Sequence, residues 1–241
     1  MGMNFDGRVL VGDTETTGMG PDHKMIEIAL VERVAGVNTG KNYHEYLDPG
    51  REVDFEAEQV HGWDRESLVS ESGGQTFPDV AEALVQFVNG AIVCFHNAQF
   101  DTEFLDRELQ ACGYKPLSEY CTVVDTLEYA RRLYPGKANN LDALCKRLKV
   151  DRSNRTLHGA LIDSDILADV LFAMLSPKEN QEMLFGNKAG GQAAPDWNGK
   201  NREQLQQMLL AGLTPMNTDL ATIEVSSTES EADTNFFVPA S

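Results

Sequence analysis

A change of hydrophobic period divides this chain and sets its architecture. Val9-Leu10-Val11 and the nearly unbroken apolar run Ile26 to Val34 read as strands, and Tyr43 to Leu47 alternates in strand fashion before the turn Asp48-Pro49-Gly50. Beyond residue 76 the period becomes helical. Phe77-Pro78-Asp79 opens a helix through Val80, Leu84, Phe87 and Val88 that closes at Asn89-Gly90, and Ala91 to Phe95 reads as a buried strand. Helices over Thr102 to Cys112 and Leu127 to Leu133 bracket a short strand at Thr122-Val123-Val124. Asn140 caps a helix through Leu148, and Ala160 to Leu175 forms a long helix that ends before Ser176-Pro177. Strands first, then strand and helix in alternation, predict an α/β domain with a mixed central sheet flanked by helices.

The chain has 241 residues, 41% of them hydrophobic, enough for one well-packed domain with length to spare. After Phe185 the stretch Gly186 to Pro195 turns small, polar and glycine-rich, the composition of a flexible linker. The expected organisation is a folded domain over 1–180, a pentapeptide and linker over 181–200, and a flexible C-terminal tail over 201–241. In that tail Leu205, Met208, Leu209 and Leu213 share helical spacing, whereas Ser226 to Asn235 has no apolar face. No run approaches the roughly 18 apolar residues of a membrane span, and no basic-apolar leader opens the chain, so a cytoplasmic protein with no membrane partner is expected. Cys94, Cys112, Cys121 and Cys145 lie at wide spacings without a C-x-x-C and read as reduced thiols.

The net charge of -18 argues against tight, non-specific binding to nucleic acid by phosphate neutralisation. The charge is uneven, however. Between residues 131 and 155 stand Arg131, Arg132, Lys137, Lys146, Arg147, Lys149, Arg152 and Arg155 against Asp142 and Asp151, which reads as a local positive patch or as a solvated helix face.

Asp13 and Glu15 follow the first strand in Val11-Gly12-Asp13-Thr14-Glu15-Thr16-Thr17-Gly18, and their spacing of two turns both carboxylates to one side. Asp163 falls on the apolar stripe of the last helix with Ile166, Leu167, Val170, Leu171 and Met174, and Asp101 falls on the stripe of Phe104 and Leu105. Each alone also fits a turn acid or a helix N-terminal acid. Together, four inward acids repel one another unless divalent cations compensate them. Oxygen ligands favour Mg²⁺ or Mn²⁺, and two such ions about 3.5 to 4 Å apart can drive an in-line phosphodiester displacement. His158, five residues before Asp163, has an ordinary pKa of about 6.5 that suits a general base, or it is a structural histidine.

Asp13-Thr14-Glu15-Thr16-Thr17-Gly18, Val60-His61-Gly62, His96 to Asp101, and His158-x4-Asp163 resemble the motifs of the DEDDh family of 3′→5′ exonucleases, the histidine marking the subtype. Tyr134-Pro135-Gly136-Lys137, Leu141 to Cys145 and Arg155 to Leu161 are similar to the proofreading epsilon-subunit family of bacterial DNA polymerase III, the resemblance covering residues 8 to 176. It implies a ribonuclease-H-like fold. It further implies that Asp13, Glu15 and Asp163 bind two metal ions, that Asp101 supports the second ion or its water, and that His158 is the base. The backbone around Thr14 and Thr16, with His61, Asn97 and Phe100, would hold the terminal nucleotide of a DNA 3′ end. Gln181-Glu182-Met183-Leu184-Phe185 resembles the Q-x-x-L-F segment with which polymerase subunits hold the sliding clamp, Gln181, Leu184 and Phe185 being the contacts. The family also implies a replicative polymerase catalytic subunit as partner. Two other readings stay open: an exoribonuclease of the same fold that trims RNA 3′ ends, and a non-catalytic assembly subunit linking polymerase and clamp.

Overall fold

The computed structural model of this chain describes residues 8–34, 36–153, 155 and 157–175. Its strands are β1 (Arg8–Thr16), β2 (Met25–Val34), β3 (Val37–Tyr46), β4 (Ile92–Phe95) and β5 (Thr122–Asp125), joined in one sheet in the order β3-β2-β1-β4-β5. β2 pairs antiparallel with both β1 and β3, whereas β4 is parallel to β1 and β5 to β4. The helices are α1 (Phe55–His61), α2 (Arg65–Ser72), α3 (Phe77–Val88), α4 (Ala98–Ala111), α5 (Thr126–Leu133), α6 (Leu141–Leu148) and α7 (Ala160–Leu175). This is the predicted mixed sheet flanked by helices.

Side chains alternate across the sheet and split the core in two. Val9 and Val11 join Val31, Ile92, Cys94 and Val124 beneath α6 and α7, while Leu10 joins Ile28, Leu30, Val93 and Phe95 beneath α3 and α4. The short parallel strand β4 is buried on both faces, hence its unbroken apolar sequence. Gly12 lies on the α3–α4 side of β1, where a Cβ would collide with Leu30, Phe95 and the Ala29 carbonyl. All four cysteines are free thiols, with Cys94, Cys121 and Cys145 buried. Among the described residues no helix is long and apolar enough to cross a membrane.

The structure corrects several expectations. β1 does not stop before the acids: it runs on to Thr16, with Asp13 opposite Ala29 and Glu15 opposite Glu27, because the β1–β2 ladder continues regardless of side-chain polarity. β3 begins at Val37 rather than Tyr43. It is an edge strand whose residues from Val37 to Asn42 are exposed, so burial imposes no alternation on its first half. α1 and α2 were not anticipated, since they bury only Ala57 and His61, and Leu68, respectively. α4 starts at Ala98, four residues before Thr102, for reasons set by its cap. Gln181, Leu184 and Phe185, the linker and the tail lie outside the described residues.

Candidate active site

Asp13 and Glu15 project from β1 on the side of Val9 and Val11, the side covered by α7. α7 carries Asp163 in its first turn, 3% exposed, and His158 stands two residues ahead of that helix. Thr14 projects the other way, and there its hydroxyl donates to Asp101 Oδ1 at 2.8 Å. Asp101 itself lies in the first turn of α4 and is buried. Helices on opposite faces of the sheet thus deliver acids to the same end of β1. At Glu15–Thr16 the β1–β2 register shifts, a bulge of the kind that re-aims side chains at strand ends.

The start of α4 depends on Asn97, whose φ of 75° is left-handed, and on Asp125 at the end of β5. The Asp125 carboxylate accepts from Asn97 N and Ala98 N, both at 3.2 Å, and also from Leu127 N at 2.8 Å and Glu128 N at 3.3 Å. One side chain therefore caps two helices and fixes the depth at which Asp101 enters the site.

Crowding of acids dominates the electrostatics. Burial first, then Glu15, Asp163 and Asp101, hold the Asp13 carboxyl well above the usual carboxylate range, with Arg155 opposing. Burial and then the neighbouring Glu27 and Asp163 do the same to Glu15. Burial lifts Asp101 to about 8 despite the stabilising Thr14 hydroxyl. His158 is shifted down, by burial and then by the Arg155 charge. Groups held this far from their ordinary ionisation want a cation, and the donors suit one: Glu15, His158 and Asp163 each offer a ligand atom within 4.8 Å of the others.

The residues expected to hold a nucleotide surround this cluster. Thr16 spends its hydroxyl on the Gly18 carbonyl at 2.8 Å and Thr14 spends its own on Asp101. His61 is buried, with its Nδ1 accepting from Trp63 N at 3.1 Å, and burial drives its pKa down to about 4. His158 N donates to the Val60 carbonyl at 3.2 Å, which ties the Val60-His61-Gly62 turn to the approach of α7. Asn97 and Phe100 are half-buried, and the Phe100 ring packs on Phe104 with centroids 5.1 Å apart.

Two site residues are not evident from sequence. Glu27, 1% exposed beside Glu15, accepts from His44 Nε2 at 2.8 Å through one oxygen, and an acid between Ile26 and Ile28 in a strand buried on both faces is the signal for it. Arg155 belongs by sequence to the basic patch but points inward, 8% exposed, against Asp163. The patch is partly neutralised: Arg132 pairs with Glu128, Arg152 and Arg155 with Asp142, and Arg147 lies over the Tyr134 ring, while Arg131, Arg132, Lys137, Lys146, Lys149 and Arg152 are exposed.

Comparison with known proteins agrees with this geometry. The family model for exonucleases (RNase_T) matches residues 10–171. The DNA polymerase III subunit epsilon of Haemophilus influenzae is 44% identical over 180 residues, covering 72% of this chain and 69% of the relative. Its counterpart in Escherichia coli K12 is 46% identical over 175 residues, covering 69% and 71%. Among solved structures, exonuclease I shares the fold with a TM-score of 0.62 at 17% identity, the match spanning 75% of this chain and 44% of that longer one. The chain therefore belongs to the exonuclease family and, within it, to the epsilon subunits of DNA polymerase III.

Proposed function

We propose that this chain is the 3′→5′ proofreading exonuclease subunit of a bacterial replicative DNA polymerase, releasing mismatched 3′-terminal nucleotides as nucleoside monophosphates. The observation that carries this reading is the convergence of Asp13, Glu15, Asp101 and Asp163 beside His158 at one strand end, in a chain related to epsilon subunits.

Asp13, Glu15 and Asp163 would hold two divalent cations, Mg²⁺ or Mn²⁺, with Asp101 supporting the second ion or its water. Such cations, when bound, supply an activated water and charge neutralisation at the leaving 3′ oxygen. His158 would be the acceptor for the proton of an attacking water, and its lowered pKa favours the neutral imidazole that can accept. The Thr14 hydroxyl and the α4 cap fix the Asp101 carboxylate, so the acids need not reorganise when substrate arrives. The Thr14–Thr16 backbone, His61, Asn97 and Phe100 hold the terminal nucleotide, the half-buried Phe100 offering a ring face to its base. A mismatched terminus costs less to unpair, so it enters such a site more often than a paired one.

The net charge of -18 favours delivery of the DNA by a partner over capture by this chain alone. That partner is the polymerase catalytic subunit. The sliding clamp would be a second, held through Gln181, Leu184 and Phe185.

The test is Mg²⁺-dependent digestion of matched DNA, 3′-mismatched DNA and single-stranded RNA by the purified protein and its Asp13→Ala variant. Faster loss of mismatched DNA ends, abolished by the substitution, supports the proposal. Preferential RNA trimming assigns the chain to RNA processing instead, and the absence of any activity sensitive to the substitution leaves the non-catalytic assembly role.

A further inference from the structure

We propose that Arg155 is the resident counter-cation of this site, so that a divalent cation reaching Asp163 exchanges with the guanidinium, which moves over to Asp142. The inference rests on the reading of Asp163 as a metal ligand. Arg155 covers both oxygens of that carboxylate: Nε lies 2.5 Å from Oδ1, and Nη2 donates to Oδ2 at 2.8 Å. Its charge reaches further, opposing the upward shifts of Asp13 and Glu15. The inward acids thus already share one inward cation.

A divalent ion bound to Asp163 would stand within a few ångströms of this guanidinium, and like charges repel strongly where water is excluded. The fork must therefore open. The structure supplies the place for it to go, because Nη1 already donates to Asp142 Oδ1 at 2.7 Å, and Asp142 is half exposed in the first turn of α6. Until exchange occurs, the same guanidinium positions the catalytic base. Its Nη2 lies 3.2 Å from His158 Nδ1 and 3.3 Å from Nε2, a near-equal pair of distances that places it against the ring rather than in line with either nitrogen. A planar fork can span Asp163, His158 and Asp142 at once, which a lysine ammonium cannot.

Arg155 is on this account a positioning residue whose signature is in metal affinity. The experiment is calorimetric titration of the full chain with Mn²⁺, together with melting in EDTA and in Mn²⁺, for wild type, Arg155→Gln, Arg152→Gln, Asp142→Ala and Asp163→Asn. Arg155→Gln should bind Mn²⁺ about tenfold more tightly, melt lower in EDTA and gain more from Mn²⁺. Arg152→Gln removes the same charge from the same partner, Asp142, and should stay near wild type because its ion pair does not involve Asp163. Asp142→Ala deprives the displaced guanidinium of its second partner and should weaken Mn²⁺ binding. Because Asp142 is exposed, that variant tests the exchange even should Arg155→Gln not fold.

Unchanged or weaker affinity in Arg155→Gln, an equal gain in Arg152→Gln, or unchanged affinity in Asp142→Ala overturns the proposal. Mn²⁺ binding that survives Asp163→Asn would instead overturn the reading of Asp163 as a ligand. Binding lost in Asp163→Asn but indifferent to Arg155→Gln overturns only the exchange.

Discussion

A single hydroxyl governs how readily Asp101 can serve a cation. The Thr14 Oγ1 donates to Asp101 Oδ1 and favours the ionised form, against a burial that still holds this carboxyl at about 8. Thr14→Val removes the donor, so the Asp101 pKa rises further and less carboxylate is present at pH 7. The expected outcome is about a tenfold lower kcat/KM at limiting Mg²⁺, with the alkaline rise of the pH profile moved upward and Thr14→Ser close to wild type. A pH profile indifferent to Thr14→Val would show that the bond has no hold on the ionisation. Gly12 acts through space alone, since a methyl there meets Leu30, Phe95 and the Ala29 carbonyl, and Gly12→Ala should lower stability in urea melts by about 1 to 3 kcal/mol. The acids were legible in the sequence because strand and helix periods predict which way Asp13, Glu15, Asp101 and Asp163 face. Arg155 was not, since no periodic element contains it and its direction is set by Asp163 and Asp142 in the folded chain.

Between elements, Asp125 is the joint on which the site geometry depends. Its carboxylate accepts four backbone N–H groups from the starts of α4 and α5, and it stands last in β5, so one residue locks a strand end to two helices. Loss of one cap costs roughly 1 kcal/mol, and Asp125→Ala should lose about 2 kcal/mol by removing both. Because α4 carries Asp101, activity should fall as well, whereas Asp79→Ala at the exposed N-terminus of α3 should cost stability alone. Denaturant melts and initial rates on the same preparations check this, and equal losses of activity in the two variants would sink the assignment. The start of α4 was also misjudged from sequence, by four residues. Nothing in His96-Asn97-Ala98-Gln99 announces a helix start until Asn97 is seen in its left-handed conformation with Asp125 beneath it, and Asp125 lies 28 residues away from Asn97. α7, by contrast, was legible throughout because it is buried along most of its length and Ser176-Pro177 follows it in the sequence.

Across the whole molecule, the inward acids couple folding to both pH and metal. Asp101 has an ordinary pKa of 3.8 and a folded one of about 8, so as pH rises between these values the unfolded chain gives up its proton first and stability falls. Asp13 and Glu15 are displaced in the same direction and steepen the fall. His61 runs the opposite way: its pKa drops from 6.5 to about 4 on folding, so the stability it contributes is complete above 6.5 and is lost as pH falls through about 4. His158 is shifted the same way as His61, and both oppose the carboxylates most strongly below pH 6.5; above it their contribution fades and the carboxylates dominate. The metal-free protein should therefore show a falling Tm between about pH 6.5 and about pH 8, a window in which ordinary carboxylates are already ionised. Mg²⁺ binds the ionised acids and not the protonated ones, so saturating Mg²⁺ should remove this slope or reverse it. Asp101→Asn should flatten it in EDTA without any metal. Melting curves in EDTA and in Mg²⁺ across this window decide the matter: a metal-free Tm that holds level or rises from pH 6.5 to 8 would mean that the acids are already ionised at neutral pH, with Arg155 alone sufficient to compensate them.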